Sequence, residues 1–235
     1  MDRFISKQAK AAVVSTMQNL TRSAGFKTRS QTHFASREGF WFDFDSTYLD
    51  SRSKQFPEGQ ARVMVRLRAK PIESDEILWR ICQMENDLAR HSVDPIFGLD
   101  VVPSLEFARQ VFPIQVPSDA PHVCAEVLEF AVDGFGSFMA RIGNASGGFY
   151  RFVVGLDPTT VAGDELLFPI AFIYLGECLA ALQFLEHRGR HSGRLGHLSR
   201  GRALGDYLAD FCMAGCDVTG QPSAGAEPSS GARLS

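Results

Sequence analysis

Two aspartates separated by one residue, Asp43 and Asp45, are the residues of this sequence best placed for chemistry. In a β-strand their side chains lie on one face, and two such carboxylates can bind a divalent cation. They can also form ion pairs across a sheet with Arg66 and Arg68 of a later strand, worth about 0.2–1 kcal/mol each. We expect the ion pairs and keep metal-dependent catalysis as the alternative.

A second set of metal-ligating residue types lies near the C-terminus. His187 and His191 are four residues apart, as are Cys212 and Cys216. Such residues can bind zinc, but their spacing and order do not match a zinc finger. The sequence also has no Gly-X-Ser-X-Gly, no phosphate-binding glycine-rich loop and no His-Glu-X-X-His. We therefore predict no metal site, no cofactor and no catalytic residue, which favours a protein that is not an enzyme.

The aspartates lie in the one region with clear period-two alternation, residues 32–70. Two predicted strands there each have one apolar and one polar face, as in an antiparallel sheet covered on one side. What we call the apolar face comprises Phe40, Phe42, Phe44, Val63, Val65 and Leu67. What we call the mixed face comprises Trp41, Asp43, Asp45, Arg62, Met64, Arg66 and Arg68.

The mixed face has two interpretations. If no helix covers it, its aromatic and charged side chains suit a partner, and the candidate binding residues are Trp41, Asp43, Asp45, Arg66 and Arg68. If helices cover it, Trp41 and Met64 belong to the core.

Periodicity and turn residues predict the remaining elements. Helices are expected at 3–24, from Ser74 to about Arg90, from Ser118 to about Ile142 and at 202–214, and strands at 26–35, 40–49 and 61–69. Four prolines between 94 and 117 predict a loop with at most short strands. Leu166–Leu185 is apolar enough to resemble a membrane span, but Glu177 near its centre favours one buried helix.

These elements predict an α+β fold. It has an N-terminal helix, then a three- to four-stranded antiparallel sheet, then a mainly helical second half. We expect a single domain over residues 1–214 and a disordered C-terminal tail over residues 215–235, where Ser, Gly, Pro and Ala dominate.

Charge is distributed unevenly although the net charge is only -3. Residues 1–70 carry 13 Lys and Arg against 6 Asp and Glu, whereas residues 71–185 carry 5 against 16. Either the two parts attract each other, or the basic part binds an acidic partner. The net charge favours neither nucleic acid nor a membrane as the partner.

The cysteines and the N-terminus predict a cellular location. Five scattered cysteines and no signal peptide favour a reducing cytoplasm without a disulfide framework. Only 5 of the 24 basic residues are lysine, which we interpret as a sign of a bacterial genome.

Several short stretches resemble a bacterial family, the domain of unknown function four-three-zero-four. They are Gly25-Phe26-Lys27, Phe34, Phe44-Asp45-Ser46 and Val63-Met64-Val65, with Leu175-Gly176-Glu177 further along. The resemblance is best over residues 1–90, although members often carry a Gln-X-Ser-like element where this chain has Asp45-Ser46. It implies an N-terminal helix and a short antiparallel sheet, and no activity.

The sequence thus predicts a non-catalytic protein-binding module with an immunity-like or adaptor-like role. The alternative is a divalent-metal enzyme that uses the Asp pair and binds a phosphorylated substrate through Arg66 and Arg68. A third interpretation is a membrane-peripheral protein that uses Leu166–Leu185.

Overall fold

A computed structural model describes residues 2–49, 61–82, 102–159, 165–196, 198–199 and 201–215. The strands of the main sheet are β1 (Lys27–Arg29), β2 (Thr32–Arg37), β3 (Phe40–Leu49), β4 (Ala61–Pro71) and β5 (Leu105–Ile114). The helices are α1 (Asp2–Ser23), α2 (Glu73–Ile81), α3 (Ala120–Ile142), α4 (Ser146–Val154), α5 (Leu167–Tyr174), α6 (Cys178–Arg188) and α7 (Leu204–Met213). A short hairpin pairs β6 (Leu198–Ser199) with β7 (Arg202–Ala203). The predicted α+β fold class is therefore confirmed. The sheet has five strands, whereas three to four were expected.

The sheet is an antiparallel meander in which the five strands lie in chain order. Tight turns explain how consecutive strands pair. Glu38 and Gly39 both have positive φ, 50° and 79°, between β2 and β3, which is the geometry of a two-residue hairpin. The predicted single strand at 26–35 is wrong, because Ser30 also has a positive φ of 55° and the chain reverses there into β1 and β2.

The predicted loop between 94 and 117 is also wrong in its second half, where the ten residues of β5 form an edge strand. Pro113 lies within β5. Proline is tolerated there because an edge strand has one side without a ladder. The pairing of β5 with β4 shifts between Leu67 and Arg68, so β5 contains a bulge.

The core lies between the apolar face of the sheet and the helices. Leu67, Val65 and Phe44 are fully buried, and burying each such side chain contributes about 1.5–3 kcal/mol. The helix α3 crosses this face closely at Gly134, where an added Cβ would lie 2.4 Å from Cδ1 of Leu67. A glycine inside a helix is unfavourable, and here it lets the helix approach the sheet.

A buried ion pair fixes α2 to the sheet. Nζ of Lys70 donates to Oδ1 and Oδ2 of Asp75 over 2.8 and 2.6 Å, and to the carbonyl of Val102 over 2.9 Å. Oδ1 of Asp75 also accepts from the backbone N–H of Val102 over 2.8 Å. All three ammonium donors are therefore used, as a buried charge requires.

The start of α2 differs from its prediction. The N-cap is Ile72, and no side chain caps the helix. Ser74 lies inside the first turn, where its hydroxyl is 2.9 Å from that of Tyr150. The helix ends at Ile81, and the part predicted between 83 and Arg90 lies outside the described residues.

The predicted single helix at Leu166–Leu185 is two helices, α5 and α6. Gly176 has a φ of 77° and ends the first of them, since this left-handed conformation does not continue a helix. Among the described residues, no helix has the length and apolarity to cross a membrane.

Cysteine pairing corrects one further expectation. Cys178 is disulfide-bonded, whereas Cys82, Cys124 and Cys212 are free and buried. The disulfide of Cys178 contradicts, at that residue, the expectation of a chain without a disulfide framework. The predicted tail lies, apart from its first residue, Gly215, outside the described residues.

Candidate binding surface

Strand register brings the five predicted binding residues together. Asp43 pairs with Arg68, Asp45 pairs with Arg66, and Trp41 pairs with Lys70. Residues that pair directly across an antiparallel ladder point to the same face. The mixed face is therefore continuous across β3 and β4, as the alternation predicted. In the described part of the chain, the helices α3 and α4 pack on the apolar face, as the ring pairs Phe42–Phe135 and Phe40–Phe149 show, and α2 reaches the mixed face only at its Lys70 end.

The charged side chains of the mixed face form one network. Nη2 of Arg66 donates to Oδ2 of Asp45 over 2.8 Å, and Nη2 of Arg68 donates to Oδ1 of the same carboxylate over 3.1 Å. Nε of Arg68 donates to Oδ1 of Asp43 over 2.6 Å, and its Nη2 makes a second, shorter contact there. The hydroxyl of Thr32 donates to Oδ1 of Asp45 over 2.7 Å.

Burial is unequal within this network. The aspartate side chains are 9–11% exposed, whereas those of Arg66 and Arg68 are 34% and 27% exposed. Burial raises the pKa of Asp43, and the guanidinium of Arg68 opposes that rise. The carboxylates thus lie beneath the arginines and hold them, while the arginines face outward.

Trp41 flanks the network on β3. Its ring centroid lies 6.4 Å from that of Phe34, at an interplanar angle of 57°. Nε1 of Trp41 and Nε of Arg66 are buried without a hydrogen-bond partner among the described residues. Such donors are rare in native structures, and each costs about 1–3 kcal/mol.

The edge strand extends the mixed face with residues that the sequence analysis did not select. Glu106 pairs with Arg68, Arg109 with Arg66, and Val111 with Met64. The guanidinium of Arg109 donates to Glu106 over 2.7 and 3.1 Å at the surface. The sequence contained one signal for this strand. Residues 104–112 contain no proline, and apolar and polar side chains alternate over Leu105, Glu106 and Phe107.

Metal chemistry at the Asp pair has no geometric support. Both oxygens of Asp45 and Oδ1 of Asp43 already accept hydrogen bonds. A side-chain hydrogen bond from Ser104 also lowers the pKa of Asp43, more weakly than burial raises it. A divalent cation would have to displace two guanidinium groups.

The second set of candidate ligands also has no support as a metal site. Within the described ranges, no three His, Cys, Asp or Glu side chains are arranged to bind a metal. Nε2 of His191 lies 3.0 Å from Oδ2 of Asp206, and Cys216 lies outside those ranges.

A buried serine–histidine pair lies on the apolar side of the sheet and was not predicted. Nε2 of His33 is 3.1 Å from the hydroxyl of Ser46, and Nδ1 is 3.0 Å from the hydroxyl of Thr28. Serine beside histidine is the arrangement of an activated nucleophile. Here, however, both residues are buried, at 5% and 1% exposure. Burial lowers the pKa of His33 to about 4 although Asp45 opposes this, so the imidazole is neutral and joins β1, β2 and β3.

Comparison with known proteins adds no relative. No family model matches the chain, no curated protein is similar to it, and no solved structure matches it. The resemblance to domain of unknown function four-three-zero-four therefore stays a prediction, and the interpretation of the site depends on geometry alone.

Proposed function

We propose that this chain is a non-catalytic protein-binding module and that the mixed face is its docking surface. One observation carries the proposal: Arg66 and Arg68 lie half-buried on a sheet face, held from beneath by Asp43 and Asp45. Arginine that is already ordered loses less conformational entropy when it binds. Arginine and tryptophan are also the residues that contribute most often to binding energy at protein interfaces.

The charge of the mixed face favours an acidic partner. The charge of Lys70, near the end of β4, is neutralised by its buried ion pair with Asp75. The other charged residues that the register places on this face are six basic and three acidic: Lys27, Arg29, Arg62, Arg66, Arg68, Arg109, Asp43, Asp45 and Glu106. An excess of positive charge accelerates association with an acidic protein surface.

Two buried donors on this face, which have no hydrogen-bond partner among the described residues, support the same proposal. Nε1 of Trp41 and Nε of Arg66 gain nothing from the fold as described. A partner that places an acceptor beside either N–H would supply the hydrogen bond that the described residues do not. A hydrogen bond to a charged acceptor contributes about 1.5–3 kcal/mol.

A charge introduced at Met64 tests the proposal. Met64 is half-buried on the mixed face and takes no part in the ion-pair network, so Met64→Glu adds a negative charge that repels an acidic partner and removes none of the paired side chains. The matched control is Leu179→Glu, because Leu179 is 68% exposed on α6, away from the sheet. Both variants are first checked for the folded state by circular dichroism.

The measurement is co-purification of each tagged variant from the source organism, with the bound proteins quantified by mass spectrometry. We expect one partner near equimolar amount with the wild type and with Leu179→Glu, and a loss of at least about tenfold with Met64→Glu. Equal recovery of every bound protein with Met64→Glu and wild type would reject the mixed face as the docking surface.

A cytoplasmic location in a bacterium, with an immunity-like or adaptor-like role, is part of this proposal. Three free, buried cysteines fit a reducing compartment, and the disulfide of Cys178 counts against it. Alkylation of thiols in intact cells before lysis, followed by mass spectrometry of the Cys178 peptide, decides between them. Alkylated Cys178 is the result expected for a cytoplasmic protein, and a Cys178 that reacts only after reduction contradicts it.

A further inference from the structure

A cavity of about 380 Å³ opens between the β2–β3 hairpin and the C-terminal half of α3. It lies on the apolar side of the sheet, so it is separate from the mixed face. Its volume falls within the range of small-molecule sites, roughly 300–1,000 Å³.

Phenylalanine rings form the inner part of this cavity. The centroids of Phe42 and Phe135 are 4.8 Å apart, and those of Phe26 and Phe135 are 6.3 Å apart. All three side chains are buried, at 3–7% exposure. Met139 completes the wall with a flexible thioether that adapts to the shape of a ligand. The inner part therefore suits an aromatic or branched apolar group.

Polar groups of both charges lie at the mouth. Arg37, Glu38 and Asn144 line the cavity and are exposed. The guanidinium of Arg37 lies 5.7 Å from the centroid of the Phe26 ring. Its one hydrogen bond within the described residues is a 3.5 Å contact to the carbonyl of Ala24, and it has no ion-pair partner there. Glu38 is the next residue along the chain and lies in the β2–β3 turn, with a positive φ of 50°.

We infer that this cavity binds a free apolar α-amino acid. The side chain of the ligand lies in the cavity, against the three phenylalanine rings that line it. The ligand carboxylate is bound by Arg37 and by the side-chain amide of Asn144, and the ligand ammonium is bound by Glu38. A zwitterion pairs with both Arg37 and Glu38 at the mouth, whereas a ligand with a single charge leaves one of these two side chains without a partner of opposite charge.

Gly136 offers a way to close the cavity without disturbing the core. A Cβ added there meets nothing within 4 Å. Leucine also has a higher helix propensity than glycine, so the substitution does not weaken the helix. Because Gly136 lines the cavity, the side chain of Gly136→Leu would occupy part of its volume while the helix is kept. The matched control is Ser137→Leu, because Ser137 is exposed on the same helix and does not line the cavity.

The experiment is isothermal titration of the full chain with L-phenylalanine and L-leucine, repeated with 3-phenylpropanoate and phenethylamine. We expect saturable one-to-one binding of at least one amino acid. We expect both single-charge analogues to bind about tenfold more weakly, because each lacks one charge-assisted hydrogen bond. Gly136→Leu should abolish binding, and Ser137→Leu should leave it unchanged.

A second variant guards against an effect on folding. Arg37→Gln changes an exposed side chain and should weaken amino-acid binding about tenfold while phenethylamine binding stays the same. The inference is overturned if neither amino acid binds at about 10 mM, if 3-phenylpropanoate binds as tightly as L-phenylalanine, or if Gly136→Leu binds as well as wild type.

Discussion

Neutral, buried His33 predicts how the stability of this protein depends on pH. Burial lowers the pKa of its imidazole from 6.5 to about 4. Between these values the unfolded chain binds a proton that the folded chain does not. The stability that His33 contributes is therefore fully present above about pH 6.5 and falls as the pH falls toward 4.

The size of this loss follows from the shift in pKa. One pKa unit corresponds to about 1.36 kcal/mol. The difference of about 2.5 pKa units would therefore lower the free energy of unfolding by about 3.4 kcal/mol at a pH well below 4. Since protonation is partial at each pH, we expect a loss of about 2 kcal/mol at pH 5 and about 3 kcal/mol at pH 4, relative to pH 7.

His33→Gln isolates the histidine from the other acidic and basic groups. Glutamine has a donor and an acceptor for the hydroxyls of Thr28 and Ser46, and it does not titrate. Urea unfolding of both proteins at about pH 7, 5 and 4 gives the free energy of unfolding at each pH. The difference between the two proteins should shrink by about 2 kcal/mol between pH 7 and pH 5. Parallel pH profiles for wild type and His33→Gln would refute the assignment of a neutral, buried imidazole.

Three further predictions test the packing of the core. Lys70→Met should lower the free energy of unfolding by about 3–5 kcal/mol, because it leaves the carboxylate of Asp75 buried without its cation; the double variant Lys70→Met/Asp75→Leu should recover most of that loss in urea unfolding, and no recovery would show that the charges are not coupled. Gly134→Ala places a methyl group against buried Leu67, at a cost of about 1–3 kcal/mol that the better helix propensity of alanine offsets by about 1 kcal/mol; thermal unfolding should therefore show a net loss of up to about 2 kcal/mol, and a net gain would contradict the close approach of α3. Burial raises the pKa of the Cys124 thiol to about 11, so a disulfide reagent at about pH 8 should leave it unmodified in the native protein and label it in urea; rapid native labelling would contradict its burial.

Local signals were sufficient for much of the fold. Alternation over Phe40–Leu49 predicted β3 at its observed bounds. The same alternation indicated that the aspartates and arginines could share one face of the sheet, because the register and the two-residue period determine which side chains lie together.

Other features depend on contacts that no local pattern encodes. Ser30 adopts a positive φ without being glycine, so the reversal between β1 and β2 had no sequence signal. The prolines around β5 favoured a loop, and the pairing of β5 with β4 overrode that preference. The cavity beside α3 also requires the relative position of Arg37 and Phe135, which are distant in the chain.

The candidate site depends on which face of the sheet is left open by the helices. The sequence predicted a mixed face and left open whether helices cover it. The described helices α3 and α4 pack on the opposite face, whereas α2 covers the Lys70 end of the mixed face through Asp75. Their position favours binding through the mixed face.

Site-specific photo-crosslinking tests docking at the mixed face most directly. A benzophenone amino acid replaces Met64 on the mixed face, or Leu179 on α6 as the control, in cells of the source organism. The proposal predicts one discrete crosslinked protein from position 64 and none from position 179. No crosslinked species from position 64, or the same species from both positions, would contradict a docking surface on the mixed face.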